Sequence, residues 1–364
     1  MKECQIRLLL FLAFILTSTR THTAENPYFL PLTENHYHAV TAAGINTAFF
    51  EKIKTVGRDV LLVKINGAEF VVKKNAHRIE AFLDLLGCHI GELCDIPLNH
   101  VRLLPRKQGS RLFGYTSSLV YLVLSQHLPI YTIHTFVCGK TMAQIYNDPG
   151  NHCQQNILLG TKPDVTTFGK IMLTHEELAP ELLDIVALDL FTLNPDRHNR
   201  NYICDENTGN FIGIDMDHCF FPLYLYFHHK EDFQCPTYAH IWLESITEPI
   251  QKNTLTIHQC KNIERISATL KKLATTVSPE KILHMATIIA HHVGLPLSSD
   301  TKTKLFKFFS RNHKDCIDFA HMLDTLIAKY EKNIPLTQEQ RVAQKADKQA
   351  RQEKRRSILK LCRL

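Results

Sequence analysis

Asn194-Pro195-Asp196-Arg197-His198-Asn199-Arg200-Asn201, then Tyr202-Ile203-Cys204, a turn from Asp205 to Asn210, and Phe211-Ile212-Gly213-Ile214-Asp215-Met216-Asp217 form one stretch of the chain, and its reading decides the fold. Two short apolar runs flank Asn207-Thr208-Gly209, a sequence suited to reversing the chain. A hairpin here returns Asp215, which follows Asn201 by 14 residues, to the neighbourhood of that asparagine. Phosphoryl transfer needs in-line geometry and charge neutralisation more than covalent help, so a base and oxygen ligands must converge on the phosphates. In this reading Asp196 orients an acceptor hydroxyl, while Asn201 and Asp215 hold Mg²⁺. A lone Asp-Arg-His is more often an ordinary Asx-rich surface turn; here it is joined to an acid at the end of a strand.

The segment resembles the catalytic and metal-binding loops of the phosphatidylinositol 3/4-kinase-like superfamily, which includes HipA-type kinases and actin-fragmin kinase. Asn194-x-Asp196-Arg197 is similar to the Asn-x-Asp-Arg of type II phosphatidylinositol 4-kinases, and Asp196-Arg197-His198-x-x-Asn201 to the corresponding run of the 3-kinases. Ile214-Asp215 followed by Cys219-Phe220-Phe221-Pro222 resembles the Ile-Asp-x-Gly-x-x-Phe-Pro of the type II enzymes, although Met216-Asp217 stands where many relatives have a residue followed by Gly. The resemblance implies an α+β, two-lobed protein-kinase-like fold with a small β-rich N-lobe and a mainly helical C-lobe. It also implies ATP and Mg²⁺ as cofactors, catalytic roles for Asp196, Arg197 and His198, and metal roles for Asn201 and Asp215. The acceptor is then a protein or inositol-lipid hydroxyl. Two rivals share the fold: a nucleotide-binding pseudokinase scaffold, and a nucleotidyl transferase with ATP reversed. Retention of Asp196, Asn201 and Asp215 together argues against the scaffold.

Upstream, Asp59 to Ile65 and Ala68 to Lys74 are strand-like runs joined by Asn66-Gly67, a two-residue hairpin signal. Lys73 alternates with Val71 and Glu69, so if Val71 lines the nucleotide cleft, Lys73 faces it too and can contact the α- and β-phosphates, whereas Lys74 points away. A helix is expected from about His77 to Leu86, with Ile79, Phe82, Leu83 and Leu86 on one stripe and Gly87 as a stop. Glu80 is the first acidic residue after the lysine pair and resembles the helix-borne glutamate that pairs with a kinase's strand lysine. Before the hairpin, Ala42 to Phe50 is the only plausible phosphate-cradling stretch, with Gly44 allowing close approach and Thr47 or Asn46 donating.

Between the lobes, Tyr131 to Val137 is a β-rich run, and the passage into a helix at Thr141 places a hinge at about Phe136 to Gly139. Backbone groups of Phe136 and Val137 are the expected adenine contacts. His175 to Phe191 reads as an amphipathic helix leading into the catalytic loop, its Glu176, Glu177, Glu181, Asp184 and Asp189 forming a solvated face. Beyond Asp217 lies an aromatic-rich stretch, Phe220 to Phe233, then largely helical sequence to Tyr330. His228, His229 and Lys230 are the sole basic groups of that stretch, which is thin support for phosphoinositide recognition.

The 364 residues, 45% hydrophobic, suffice for such a two-lobed domain. Lys2 and Arg7 precede an apolar run from Leu8 to Leu16, which is too short for a permanent span and reads as a secretory signal peptide over residues 1–24. Residues 25–138 and 139–334 are the expected N-lobe and C-lobe, and 335–364 a basic helical tail. The protein is therefore expected to be secreted or exported, in keeping with a bacterial protein acting outside its cytoplasm. The eleven cysteines include no Cys-x-x-Cys, and the 21 histidines lack ligand spacing, so neither a zinc site nor a disulfide framework is indicated. From Gln338 onward the tail has nine basic and three acidic residues, which accounts for the whole chain's net charge of +6. Such a helix suits an anionic membrane surface, or serves simply as a solubilising segment. No nucleic-acid partner is expected.

Overall fold

Val60 to Val63 and Phe70 to Val72 are short apolar runs rich in valine, and they become the centre of an antiparallel sheet. The computed structural model describes residues 50–57, 59–65, 68–104, 109, 112–113, 129–145, 179–197, 200–229 and 257–333. Strands β1 (Phe50–Gly57), β2 (Val60–Ile65), β3 (Ala68–Asn75), β4 (Val101–Leu104) and β5 (Ile130–Thr135) lie in the order β1-β2-β3-β5-β4. All four pairings are antiparallel. Because side chains alternate across a strand, Phe70 and Val72 join Leu61, Val63, Tyr131 and Ile133 in a small core on one face. The opposite face carries Val71 and Lys73, with His134 and Thr132 directly across on β5.

Helix α1 (Arg78–Leu93) is inserted between β3 and β4. It does not stop at Gly87 as the sequence suggests, but continues through Gly87 and Gly91. Both glycines are places of close approach, not ends. A Cβ on Gly87 would lie 2.8 Å from Cys219 Sγ, and one on Gly91 2.4 Å from Leu98 Cδ1. The helix is therefore drawn against the larger lobe, and Ile79, Phe82, Leu83 and Leu86 belong to that lobe's core.

That lobe contains helices α2 (Met142–Ile145), α3 (Pro180–Thr192), α4 (Phe221–His229), α5 (Ile257–Thr276), α6 (Pro279–Val293) and α7 (Ser299–Asn333). A second sheet, β6 (Gly139–Thr141), β7 (Tyr202–Asp205) and β8 (Phe211–Gly213), has the order β6-β7-β8. Helix α5 packs on α3 and α7, and α6 packs on α1 and α7. The segment after α1 is stitched to β8: Asn99 N donates to Gly213 O at 3.0 Å and Gly213 N to Pro97 O at 2.9 Å. A five-stranded antiparallel sheet with one helix inserted, followed by a mainly helical lobe, is the two-lobed kinase-like α+β arrangement. Among the described residues no helix is long and apolar enough to cross a membrane. The signal segment 1–24, Gly44, Thr47, the Asn66-Gly67 turn, His198 and the tail 335–364 lie outside the described residues.

Candidate active site

The hairpin read from the sequence forms with Tyr202 opposite Gly213 and Cys204 opposite Phe211. Its turn is held by Asp205, whose side chain accepts from Asn207 N at 3.1 Å and whose carbonyl accepts from Gly209 N at 2.8 Å. Gly209 takes φ +72°, a left-handed conformation that glycine adopts without a Cβ penalty. The ladder extends past the strands, with Ile214 N donating to Asn201 O at 3.0 Å, so Asn201 and Asp215 are brought to one end of the hairpin.

The loop that carries Asp196 starts where α3 ends. Leu193 caps the helix in the left-handed region, at φ 50°. Asn194 then bridges the turn: its Oδ1 accepts from Asp196 N at 3.1 Å, and its Nδ2 donates to Asp189 Oδ1 at 3.1 Å. Asp196 is left 6% exposed, with Asn201 Nδ2 donating to its backbone carbonyl at 2.9 Å. That bond occupies the amide nitrogen of Asn201 and leaves its amide oxygen as the group able to ligate a cation.

Arg197 does not face the cleft. Its Nε and Nη2 donate to the two carboxylate oxygens of Asp189 at 2.8 and 3.1 Å. Its Nη1 donates to Asn201 O at 3.0 Å and also to Ile214 O. The expected catalytic arginine is thus a fastener that ties helix α3 to both strands of the hairpin at their open end. Asp189 is correspondingly not part of a solvated face, because almost all of α3 is buried in the core.

Lys73 enters from β3. Its Nζ lies 2.5 Å from Asp215 Oδ1, 3.9 Å from Asp217 Oδ2 and 4.0 Å from Asp84 Oδ2. Lys74 points the other way and pairs with Asp59 at 3.0 Å. Burial works to lower the Lys73 pKa, but Asp215, Asp84 and Asp217 together hold it above the ordinary lysine range. The helix-borne partner of Lys73 is Asp84 and not Glu80. Glu80 instead accepts from His77 N at 3.2 Å at the start of α1, satisfying one of the donors a helix leaves unpaired. Asp84 is fully buried, and its Oδ1 accepts from Met216 N at 3.2 Å. Burial drives the Asp84 carboxyl upward, with Lys73 opposing.

Asp217 and His218, passed over in the sequence, stand inside the site. His218 Nδ1 is 2.7 Å from Asp217 Oδ1 and 3.8 Å from Asp196 Oδ2. Burial works to lower the His218 pKa, but contact with Asp217, then the charges of Asp217 and Asp196, raise it to about 9. Burial also pushes the Asp196 carboxyl up to about 7, with His218 opposing and Asp217 and Asp215 adding. Ligand atoms of Asp196, Asp217 and His218 lie within 4.8 Å of one another. The signal for them was the repeated Asp-x-Asp of Asp215-Met216-Asp217 followed directly by His218. With the carboxylates of Asp215 and Asp217 and the amide oxygen of Asn201, the donor set is rich in hard oxygens and anionic, which fits Mg²⁺. The expected hinge residues Phe136 and Val137 run between β5 and β6, with Phe136 37% exposed; the following Cys138 O accepts from Glu206 N at 2.9 Å.

No protein-family model and no curated protein matches the sequence. Among solved structures the chain is similar to the Helicobacter pylori proinflammatory kinase CtkA, at 12% identity and a TM-score of 0.42 over 74% of this chain and 96% of that one. It is also similar to the Shewanella oneidensis MR-1 HipA, HipB and operator DNA complex of a toxin–antitoxin system, at 10% identity and a TM-score of 0.39 over 79% and 68%. An aminoglycoside phosphotransferase from Alicyclobacillus acidocaldarius matches at 9% identity and a TM-score of 0.26 over 85% and 99%. None of these likenesses bears on the chemistry of the site, which rests on its own residues.

Proposed function

We propose that the protein is an atypical kinase that transfers the γ-phosphoryl group of ATP to a hydroxyl of a protein or an inositol lipid. The observation that carries this reading is the convergence of Lys73, Asp84 and the pair Asp215 and Asp217 from three separate elements, with one half-buried ammonium facing these three carboxylates within 4.0 Å and Asp196 joined to them through His218. Lys73 binds the nucleotide phosphates and Asp84 holds its ammonium. Asn201, Asp215 and Asp217 are the residues that would hold Mg²⁺, which when bound neutralises phosphate charge. Asp196 accepts a hydrogen bond from the acceptor hydroxyl and takes up its proton, a role suited to a carboxylate with a pKa raised to about 7. His218, beside Asp196, keeps that carboxylate oriented and limits how far burial raises it. Residues 1–24 are read as an export signal, and 335–364 as a basic segment for an anionic membrane surface.

The test incubates purified protein with γ-labelled or α-labelled ATP against lipid vesicles and a cell extract. Label passing to an acceptor from γ-labelled ATP alone supports the kinase reading, and the labelled species identifies the acceptor class. Label passing from α-labelled ATP would show nucleotidyl transfer instead. Absence of any transfer, with ATP still bound, would leave a scaffold.

A further inference from the structure

Behind Lys73 and Asp84 the sheet carries a chain of buried polar side chains that a kinase reading does not by itself require. His134 on β5 is 2% exposed and stands directly across from Val71, on the same face as Lys73. Its Nδ1 lies 3.2 Å from Asn99 Nδ2, so with that amide donating, the ring's own proton sits on Nε2. Nε2 faces two oxygens: Thr132 Oγ1 at 2.9 Å and Asp84 Oδ2 at 3.4 Å. Thr132 Oγ1 in turn accepts from Asn75 Nδ2 at 3.0 Å, which fixes the far end of the chain on β3.

The two oxygens of Asp84 are treated differently by the fold. Oδ1 receives Met216 N, whereas Oδ2, which points toward Lys73, makes no well-formed hydrogen bond among the described residues. Its nearest donors are His134 Nε2 at 3.4 Å and Lys73 Nζ at 4.0 Å. A buried carboxylate oxygen with one neutral donor behind it and one cation ahead of it is aimed by the donor. We propose that His134 is a positioning residue: through Nε2 it turns Asp84 Oδ2 toward Lys73 and thereby aligns the ammonium for the nucleotide phosphates. The inference rests on the reading of Lys73 as a phosphate-binding group. Asn99 and Thr132 fix the ring's tautomer and orientation, as outer partners do for histidines that act through one nitrogen.

Calorimetry of Mg·ATP binding to the full chain tests it with His134→Leu and His134→Gln. Loss of the donor in His134→Leu is expected to weaken binding by about fivefold to tenfold, no more than loss of the Asp84 carboxylate itself, and the amide of His134→Gln to restore it to within about threefold of the unaltered protein. Made in an Asp84→Asn background, His134→Leu should add less than about twofold, because the contact it serves is already gone. Ile133→Val, on the same strand but the opposite face, controls for general loss of stability and should leave binding unchanged. In nucleotide-free protein the ring nitrogen signals of His134 should move on Asp84→Asn and stay in place on Glu80→Gln. Equal affinity of His134→Leu and unaltered protein, or effects that multiply fully in the double variant, would overturn the proposal alone. Ring signals indifferent to Asp84→Asn would overturn it as well. If the unaltered protein binds no Mg·ATP, the proposed function falls and this inference falls with it.

Discussion

Two cations meet the chain at Ile214 and Asp215, the buried side chain of Arg197 and the half-buried one of Lys73, and they are balanced in opposite ways. Arg197 meets one carboxylate, Asp189, through two parallel bonds and spends another nitrogen on the carbonyls of Asn201 and Ile214. Lys73 meets three carboxylates and satisfies none of them fully, since only Asp215 is at hydrogen-bonding distance. A cation matched to its partners is a strut; a cation outnumbered by carboxylates marks a place with room for a further cation. Arg197 was expected among the catalytic residues because it lies inside the motif. Its surroundings make it a structural element that sets the separation of Asn201 and Asp215.

The comparison breaks most visibly at the strut. Arg197→Ala leaves Asp189 buried and unpaired, so denaturant unfolding should show a loss of about 3–5 kcal/mol. Replacing both partners together, Arg197→Met with Asp189→Leu, should recover much of that loss, because burial already presses the Asp189 carboxyl upward against the opposing guanidinium. A double variant no more stable than Arg197→Ala would mean that the pair contributes more than it costs to bury.

At the outnumbered cation the effects should fall on activity. Asp196→Asn is expected to lower turnover by about two orders of magnitude while leaving Mg·ATP affinity nearly intact, because the proposed base acts on the acceptor and not on the nucleotide. Equal loss of binding and rate would instead place Asp196 among the metal ligands. Asp84→Asn should weaken Mg·ATP binding about tenfold, and Glu80→Gln should change it by less than about twofold, because Glu80 serves only the helix start. A larger effect at Glu80 would return the lysine pairing to that residue.

The smallest effect is a matter of pH. Burial raises the folded-state pKa of Asp196 to about 7, so the carboxylate form needed by a base is the minor one below that value. The turnover rate should rise about tenfold per pH unit on the acid side and level off above neutrality. His218→Ala removes the group that opposes this rise, so the midpoint should move to higher pH. A midpoint near the ordinary aspartate range would detach Asp196 from the base role.

How much of this was legible in the sequence follows from the kind of order each residue obeys. Asn201 and Asp215 are joined by one short hairpin, and local turn chemistry alone brings their ends together. Lys73 and Lys74 were separated correctly because a strand alternates its side chains with a period of two. The choice between Glu80 and Asp84 lay beyond any such rule: they are four residues apart on one helix and share a face, so periodicity ranks them equally. The larger lobe made that choice. Gly87 and Gly91 let α1 close on Cys219, Met216 and Leu98, and that seating puts Asp84 level with Lys73 while Glu80 stays at the helix start. Asp189 escaped for a related reason, because α3 is buried nearly all round and offers no wet face from which to read an acid's surroundings. The sequence by itself determined the hairpin, the strand lysine and the order of elements, since each depends on neighbours along the chain. Tertiary structure alone decided which carboxylate serves Lys73, that Arg197 is a strut and that His218 stands beside Asp196, since each depends on where separate elements come to rest against one another.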